Sequence, residues 1–290
     1  MHLGFRKAVY ILAIAVLLAM VASESPGQST APAAQQEHFQ RTFTVNQDAT
    51  VAVENYKGTI HVAGADGNRV VIDVHKRFEG SDPDRKWWME NVKVNFRNDP
   101  RRVEVKVEYP TRICVFCNND YTAGVELEIR VPRQTNLQID GYKPDMKVSG
   151  IQGDLSIKSY KAPMLIESTS GPIHLDTYKG TVRLRDVAVR GALWVKSYKA
   201  DTEISATSLG DSADLETYKG SIVVRVPASA GLKVDFEGGR RSSFSTDFAL
   251  TSSTGFSGRE LRGTVNQGGS NLRLRTEKGS VQLRKISGEL

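Results

Sequence analysis

The sequence predicts an all-β chain, a β-solenoid of short two-strand coils of 18–20 residues each, preceded by an N-terminal β-hairpin and insert region. Three observations carry this. First, Tyr-Lys recurs at Tyr142-Lys143, Tyr160-Lys161, Tyr178-Lys179, Tyr198-Lys199 and Tyr218-Lys219, with spacings of 18, 18, 20 and 20 residues. Second, apolar residues come in pairs separated by one residue: Leu137/Ile139, Met146/Val148, Leu155/Ile157, Met164/Ile166, Ile173/Leu175, Val182/Leu184 and Leu193/Val195, then the weaker Thr202/Ile204 and Ala213/Leu215, then Ile222/Val224. Each pair reads as a short strand with one buried face. Third, the pairs step by 9 residues except for two steps of 11, and both long steps fall at the corners without Tyr. One edge is thus constant in length while the other accepts insertions.

An antiparallel β-meander or sandwich is the alternative. The gaps of six to eight residues between pairs exceed the two-residue turns that favour hairpins. A meander also needs a second layer over its apolar face, and no helical pattern in this stretch supplies one. A flattened solenoid supplies both layers itself, since each coil stacks on the next.

In chain order, residues 1–23 read as a signal peptide. Arg6 and Lys7 form a basic start, Ile11 to Ala22 is an apolar run too short for a confident span, and Val21-Ala22-Ser23 offers small residues for cleavage. Residues 24–40 read as a disordered linker, rich in Pro, Ala, Gln and Ser. The expected location is therefore outside the cytoplasm: periplasmic, cell-surface or extracellular, with no transmembrane span in the mature chain.

Residues 41–134 form an N-terminal β region. Val51/Val53, Asn55-Tyr56-Lys57-Gly58 and Ile60/Val62 repeat the pair, corner, pair unit once, as an isolated coil-like element. Asp82-Pro83 is a helix-start signal for a short helix over 84–92. Trp87 and Trp88 in it are expected to plug the end of the stack. Val92/Val94/Phe96, Val103/Val105/Val107 and Val125/Leu127/Ile129/Val131 alternate as strands. Cys114 and Cys117 sit in the loop between the last two; in an exported chain they are a candidate local disulfide, the first expectation, or a reactive dithiol. A metal site would need two more soft ligands, and there is no other Cys. Residues 135–227 are the regular solenoid. Residues 228–290 are an irregular β segment followed by Leu272/Leu274, Glu277-Lys278-Gly279 and Val281/Leu283, a C-terminal capping coil with Glu277 where Tyr stood.

Charge and motif content exclude several functions. The formal charge of +6 becomes +4 without Arg6 and Lys7 (37 basic, 33 acidic), which gives no basic stripe of the nucleic-acid-binding kind. No Gly-x-Ser-x-Gly, His-Glu-x-x-His or phosphate loop is present, and His61, His75 and His174 are isolated in sequence. No cofactor is expected. The enzymatic alternative is a solenoid polysaccharide lyase or hydrolase, with Glu167 and Asp176 as the carboxylates.

The signal peptide, the x-Leu-x-Leu strands and the recurring corner, ending in Glu277-Lys278-Gly279-Ser280-Val281-Gln282-Leu283, resemble the bacterial putative adhesin domain family. That is a β-strand-repeat domain of unknown function, related to head domains of autotransporter adhesins, and the resemblance runs from Val51 to Ile286. It implies a β-solenoid outside the cytoplasm with an adhesive role. The expected function is a non-enzymatic binding or adhesion module for glycans or other cell-envelope components. A purely structural envelope scaffold is a further alternative. The candidate ligand-facing edge is Tyr142, Tyr160, Tyr178, Tyr198 and Tyr218 with Lys143, Lys161, Lys179, Lys199 and Lys219.

Overall fold

The structure is a computed structural model, and it describes residues 35–79, 82–110, 122–254 and 259–286. The described chain is all-β apart from one short helix. Its elements begin with β1 (Gln35–Thr44), β2 (Thr50–Ala65), β3 (Arg69–Glu79), α1 (Asp82–Asn91), β4 (Lys93–Asp99), β5 (Arg102–Glu108) and β6 (Thr122–Pro132). The repeat region holds β7 (Asn136–Ser149), β8 (Leu155–Lys161), β9 (Met164–Glu167), β10 (Ser170–Lys179), β11 (Val182–Lys199), β12 (Thr202–Leu209), β13 (Ser212–Lys219) and β14 (Ile222–Val226). Last come β15 (Leu232–Thr246), β16 (Leu250–Thr254), β17 (Glu260–Val265) and β18 (Ser270–Lys285).

From Asn136 to Val226 the strand pairs are all parallel, which overturns the antiparallel alternative for this stretch. The register equals the sequence period. Leu137 pairs with Leu155, Leu155 with Ile173, Ile173 with Leu193 and Leu193 with Ala213, offsets of 18, 18, 20 and 20. These strands form a first wall. Met146, Met164, Val182, Thr202 and Ile222 pair successively in a second wall. Every apolar pair named above is buried, and all belong to one continuous core cluster apart from Thr202, which is buried as well. A period of two places successive side chains on opposite faces, so each pair points inward together.

The Tyr corner is held by close backbone approach. Gly180 has φ 129°, and a Cβ there would lie 2.1 Å from the Ala162 carbonyl oxygen one repeat below. Only glycine fits such a position without strain. At the other corner, the 20-residue repeats add a short third ladder. Ser170–Gly171 pairs with Ala188–Val189, and Ala188–Val189 pairs with Ser208–Leu209. The extra residues bring Val189 and Leu209 into the core. Val187 pairs with Ala206, which takes the inward place at this corner.

The ends differ from expectation in three ways. The coil-like unit in β2 is not isolated: it pairs in register with β7 from Thr50↔Asn136 to Ala63↔Ser149. Its other edge is covered by β5 and β6, so the intervening residues leave the stack and return outside it. β3 lies antiparallel on β6, β1 on β3, and β4 on β5. Likewise, β18 is not the terminal cap. It inserts between β13/β14 and β15, with β17 and then β16 antiparallel beyond. The Glu277 carboxylate lies against Gly239, where a Cβ would be 2.5 Å away. Both excursions hide strand edges whose unpaired N–H and C=O groups would otherwise recruit other chains. Third, β1 begins at Gln35, inside the expected linker, because Gln35 to Thr44 finds the free edge of β3.

The helix falls where its cap signal placed it. Trp88 is buried and meets Phe78 (centroids 5.7 Å) and Tyr109 (6.4 Å), packing against the first coils rather than presenting a platform. Cys114 and Cys117, the signal peptide and the first part of the linker lie outside the described residues.

Candidate functional site

The corner geometry turns the recurring Tyr-Lys into two columns. Successive rings stack from Tyr56 through Tyr142, Tyr160, Tyr178 and Tyr198 to Tyr218. Centroid spacings are 4.5, 4.7, 4.9, 4.9 and 4.9 Å, with interplanar angles of 3° to 10°. All five expected tyrosines are therefore brought together, and a sixth joins them. The sixth, Tyr56, lies outside the edge expected from sequence, although Asn55-Tyr56-Lys57-Gly58 carries the same corner motif, which is the signal that places it. It is also the most exposed ring, at 51%, against 39% for Tyr198 and Tyr218.

The stacking decides what the column can offer. Neighbouring rings and lysine ammoniums share the ring faces, so a sugar ring has no free aromatic face to lie on along the interior of the column. Solvent meets ring edges and phenol hydroxyls. Each ring pair contributes about 0.5–1.5 kcal/mol beyond burial, so the column is also a structural brace.

The lysines lie beside the rings. Nζ of Lys143, Lys161, Lys179 and Lys199 is 5.4, 5.0, 5.5 and 5.2 Å from its own tyrosine's centroid. Lys278 reaches Tyr218 at 5.2 Å and donates to its hydroxyl at 3.3 Å. Exposed cation–π contacts are worth about 0.5–1 kcal/mol. Lys57 pairs in register with Lys143, Lys161 with Lys179, Lys179 with Lys199, and Lys219 with Lys278, which in turn faces Arg241. At a strand spacing of ~4.8 Å, adjacent ammoniums repel by roughly 0.9 kcal/mol in water.

The acids nearest in sequence do not neutralise this column. Asp214 and Glu216 bind Arg275 at 3.0 and 2.9 Å on the first wall. Asp201 accepts the Ser221 N–H at 2.8 Å. Asp145 stands opposite Thr59 and Asp176 between Lys158 and Lys196. Beneath the tyrosines, Thr177, Ser197, Thr217 and Thr276 are buried, and Ser159 and Thr177 share a hydrogen bond of 2.8 Å. Asn55 fills this place in the first unit, donating to the Val125 carbonyl at 2.9 Å. The Tyr109 hydroxyl is 2.5 Å from the Lys57 carbonyl and 2.9 Å from Asn55 Oδ1, and accepts the Val125 N–H at 3.2 Å. Burial pushes the Tyr109 phenol well above the usual phenol range.

The carboxylates of the enzymatic alternative do not share a groove. Glu167 is on the outer face of the second wall, paired with Lys147 (3.3 Å) and Arg185 (3.6 Å). Asp176 is on the outer face of the first. His61 meets Glu128 at 2.7 Å, His174 stacks on Trp194 at 4.0 Å, and His75 stacks on His38 at 4.2 Å. Among the described residues no group of three or more His, Cys, Asp or Glu is placed to hold a metal ion, and no helix is long and apolar enough to cross a membrane.

Fold and edge together define an all-β repeat domain with an aromatic and cationic spine. The chain belongs to the Toastrack DUF4097 family, whose pattern it matches over residues 49–284. This is the resemblance to putative adhesin repeats expected above. No curated relative matches the chain. Among solved structures it is similar to a putative cell adhesion protein from Clostridium sporogenes, with 10% identity, TM-score 0.42, and coverage of 87% of this chain and 100% of that one. It is also similar to a putative adhesin from Bacteroides fragilis, with 13% identity, TM-score 0.30, and coverage of 86% and 97%.

Proposed function

We propose that this chain is an exported, non-enzymatic adhesion module, built as a two-walled β-solenoid, whose Tyr-Lys edge faces a glycan of the cell envelope or of a surface it meets. The observation that carries this reading is the unbroken column of six stacked tyrosines, flanked by lysines that have no acid partner among the described residues. The solenoid reading is supported by parallel registers equal to the repeat length. The adhesive role is the one that the resemblance to putative adhesin repeats implies.

The test is glycan-array and cell-wall binding by the mature chain and two triple variants at Tyr160, Tyr178 and Tyr198. Replacement by Ala removes the rings and should abolish binding. Replacement by Phe keeps the stack and removes the hydroxyls, and should weaken binding while leaving the fold intact. Unchanged binding in the Ala variant rejects this edge as the site.

A further inference from the structure

The first wall and the corner handle charge in opposite ways. On the outer face of the first wall one row reads Lys106, Glu54, Asp140, Lys158, Asp176, Lys196, Glu216, Arg275 and Glu237. Seven of its eight steps put opposite charges side by side; only Glu54 and Asp140 are alike. Three of these steps close into ion pairs, Lys106–Glu54 (3.2 Å), Lys196–Glu216 (3.9 Å) and Arg275–Glu216 (2.9 Å). A stack of coils spaced ~4.8 Å favours such alternation, because like charges opposite one another are destabilising.

The corner column breaks that rule along its whole length. Lys57, Lys143, Lys161, Lys179, Lys199, Lys219, Lys278 and Arg241 follow one another with no carboxylate between them. Two of these steps, Lys143 to Lys161 and Lys199 to Lys219, are carried by the stacked rings beside them. Among the described residues none of the eight has an ion-pair partner within 4.0 Å. Glu277 is a single acid in the tyrosine row, turned against Gly239. Five ammoniums are gathered beside the phenol rings, so cations and phenol hydroxyls share one line.

We infer that this edge binds a linear acidic polysaccharide, lying along the stack with about one charged sugar per coil. The inference rests on the glycan-binding reading above and adds the ligand's charge and orientation. An extended pyranose chain advances by about one strand spacing per sugar. A uronate polymer can therefore set one carboxylate against each cation in turn and accept hydrogen bonds from the adjacent phenols. A neutral glycan, or one crossing the edge, meets only two or three of these groups.

The probe is a length series of oligogalacturonates, with fully methyl-esterified oligomers as the neutral arm on the same backbone. Affinity should climb with length to about eight sugars and then flatten. By the counterion-release slope of about 0.7 per contact found for single strands, eight contacts weaken binding on the order of 10³-fold between 50 and 200 mM salt. Lys161→Gln/Lys179→Gln/Lys199→Gln leaves five contacts and should reduce that change to on the order of 10²-fold. The triple Arg variant should restore it. Lys158→Gln/Lys196→Gln, on the first wall, should leave it unchanged.

Three outcomes overturn the inference. Equal binding of the methyl esters, still lost in the Tyr-to-Ala variant, removes the polyanion and leaves the glycan reading standing. Affinity that stops rising at two or three sugars removes the alignment along the stack. Failure of both arms to bind, with far-UV circular dichroism showing a folded chain, removes the acidic-polysaccharide inference, and absence of any binding on the glycan array as well removes the wider glycan reading.

Discussion

Replacing Tyr178 by Ala isolates what the tyrosine column contributes to the fold. Tyr178 has a ring on each side, Tyr160 and Tyr198, both 4.9 Å away and within 8° of parallel. Two stacks at about 0.5–1.5 kcal/mol each and one ammonium contact at about 0.5–1 kcal/mol give a cost of about 1.5–4 kcal/mol. Tyr218 ends the column with one ring neighbour and one ammonium, so its replacement should cost about 1–2.5 kcal/mol. The sharper measurement is a double-mutant cycle in urea unfolding. The adjacent pair Tyr160/Tyr178 should couple by about 0.5–1.5 kcal/mol, while Tyr142/Tyr178, separated by a coil, should couple by less than about 0.3 kcal/mol. Equal coupling in the two cycles refutes the stacking argument and leaves the rings as independent surface groups.

Other substitutions test the corners and the first coil. Gly180→Ala forces a Cβ to within 2.1 Å of the Ala162 carbonyl at φ 129°, and should cost about 2–4 kcal/mol, whereas Ala162→Gly should cost about 0.5–1 kcal/mol; similar midpoints for the two would contradict the close approach. Thr169 buries a hydroxyl that has no hydrogen-bond partner among the described residues, where the next repeat has Val187. Thr169→Val should therefore be neutral or stabilise by up to about 1 kcal/mol in thermal unfolding, and a loss larger than that would mean the hydroxyl is satisfied. Tyr109→Phe strips the Lys57 carbonyl and Val125 N–H of a partner and should cost about 1–3 kcal/mol at neutral pH. The phenol's folded pKa is raised, so its contribution is whole below the unfolded value of about 10 and declines as pH rises above it. The stability gap between the native chain and its Tyr109→Phe variant should narrow in alkaline urea titrations; a gap that widens there would reverse the sign.

The repeat region was legible because its signals are local. A period of two fixes which residues point inward, and a repeat of 18 to 20 residues fixes which strands meet. Leu155 and Ile173 are matched by the repeat spacing alone, and they pair. The ends were not legible, because strand pairing there skips across the sequence. β2 and β7 pair at an offset of 86 residues, Val51 to Leu137, and β13 and β18 at 59, Ala213 to Leu272. Nothing in an alternating strand such as Val103/Val105/Val107 says whether its neighbour is the next hairpin arm or a coil left behind 52 residues earlier, Val51 to Val103. β5 has both, β4 antiparallel and β2 parallel. The charge at Glu277 points to a cap, but strand edges are hidden by whatever chain returns to cover them, and here that chain is β15.

The candidate edge shows a related limit. A parallel stack in register sets each residue on its counterpart from the next repeat, so repetition rewards some side chains and penalises others. Tyrosine gains a stacking partner with every added repeat. Lysine gains a neighbour of the same sign. The first wall escapes that penalty by departing from strict repetition: Asp140, Lys158, Asp176, Lys196 and Glu216 occupy one position with alternating sign. The chain can therefore vary charge between coils without disturbing the pairs beneath. Repetition of lysine at the corner is not forced by the fold, and stability alone would favour an acid at every second step. What the sequence could show was the spacing of the lysines. That the lysines have no acid partner among the described residues depends on how the coils stack, with Asp214 and Glu216 turned to Arg275.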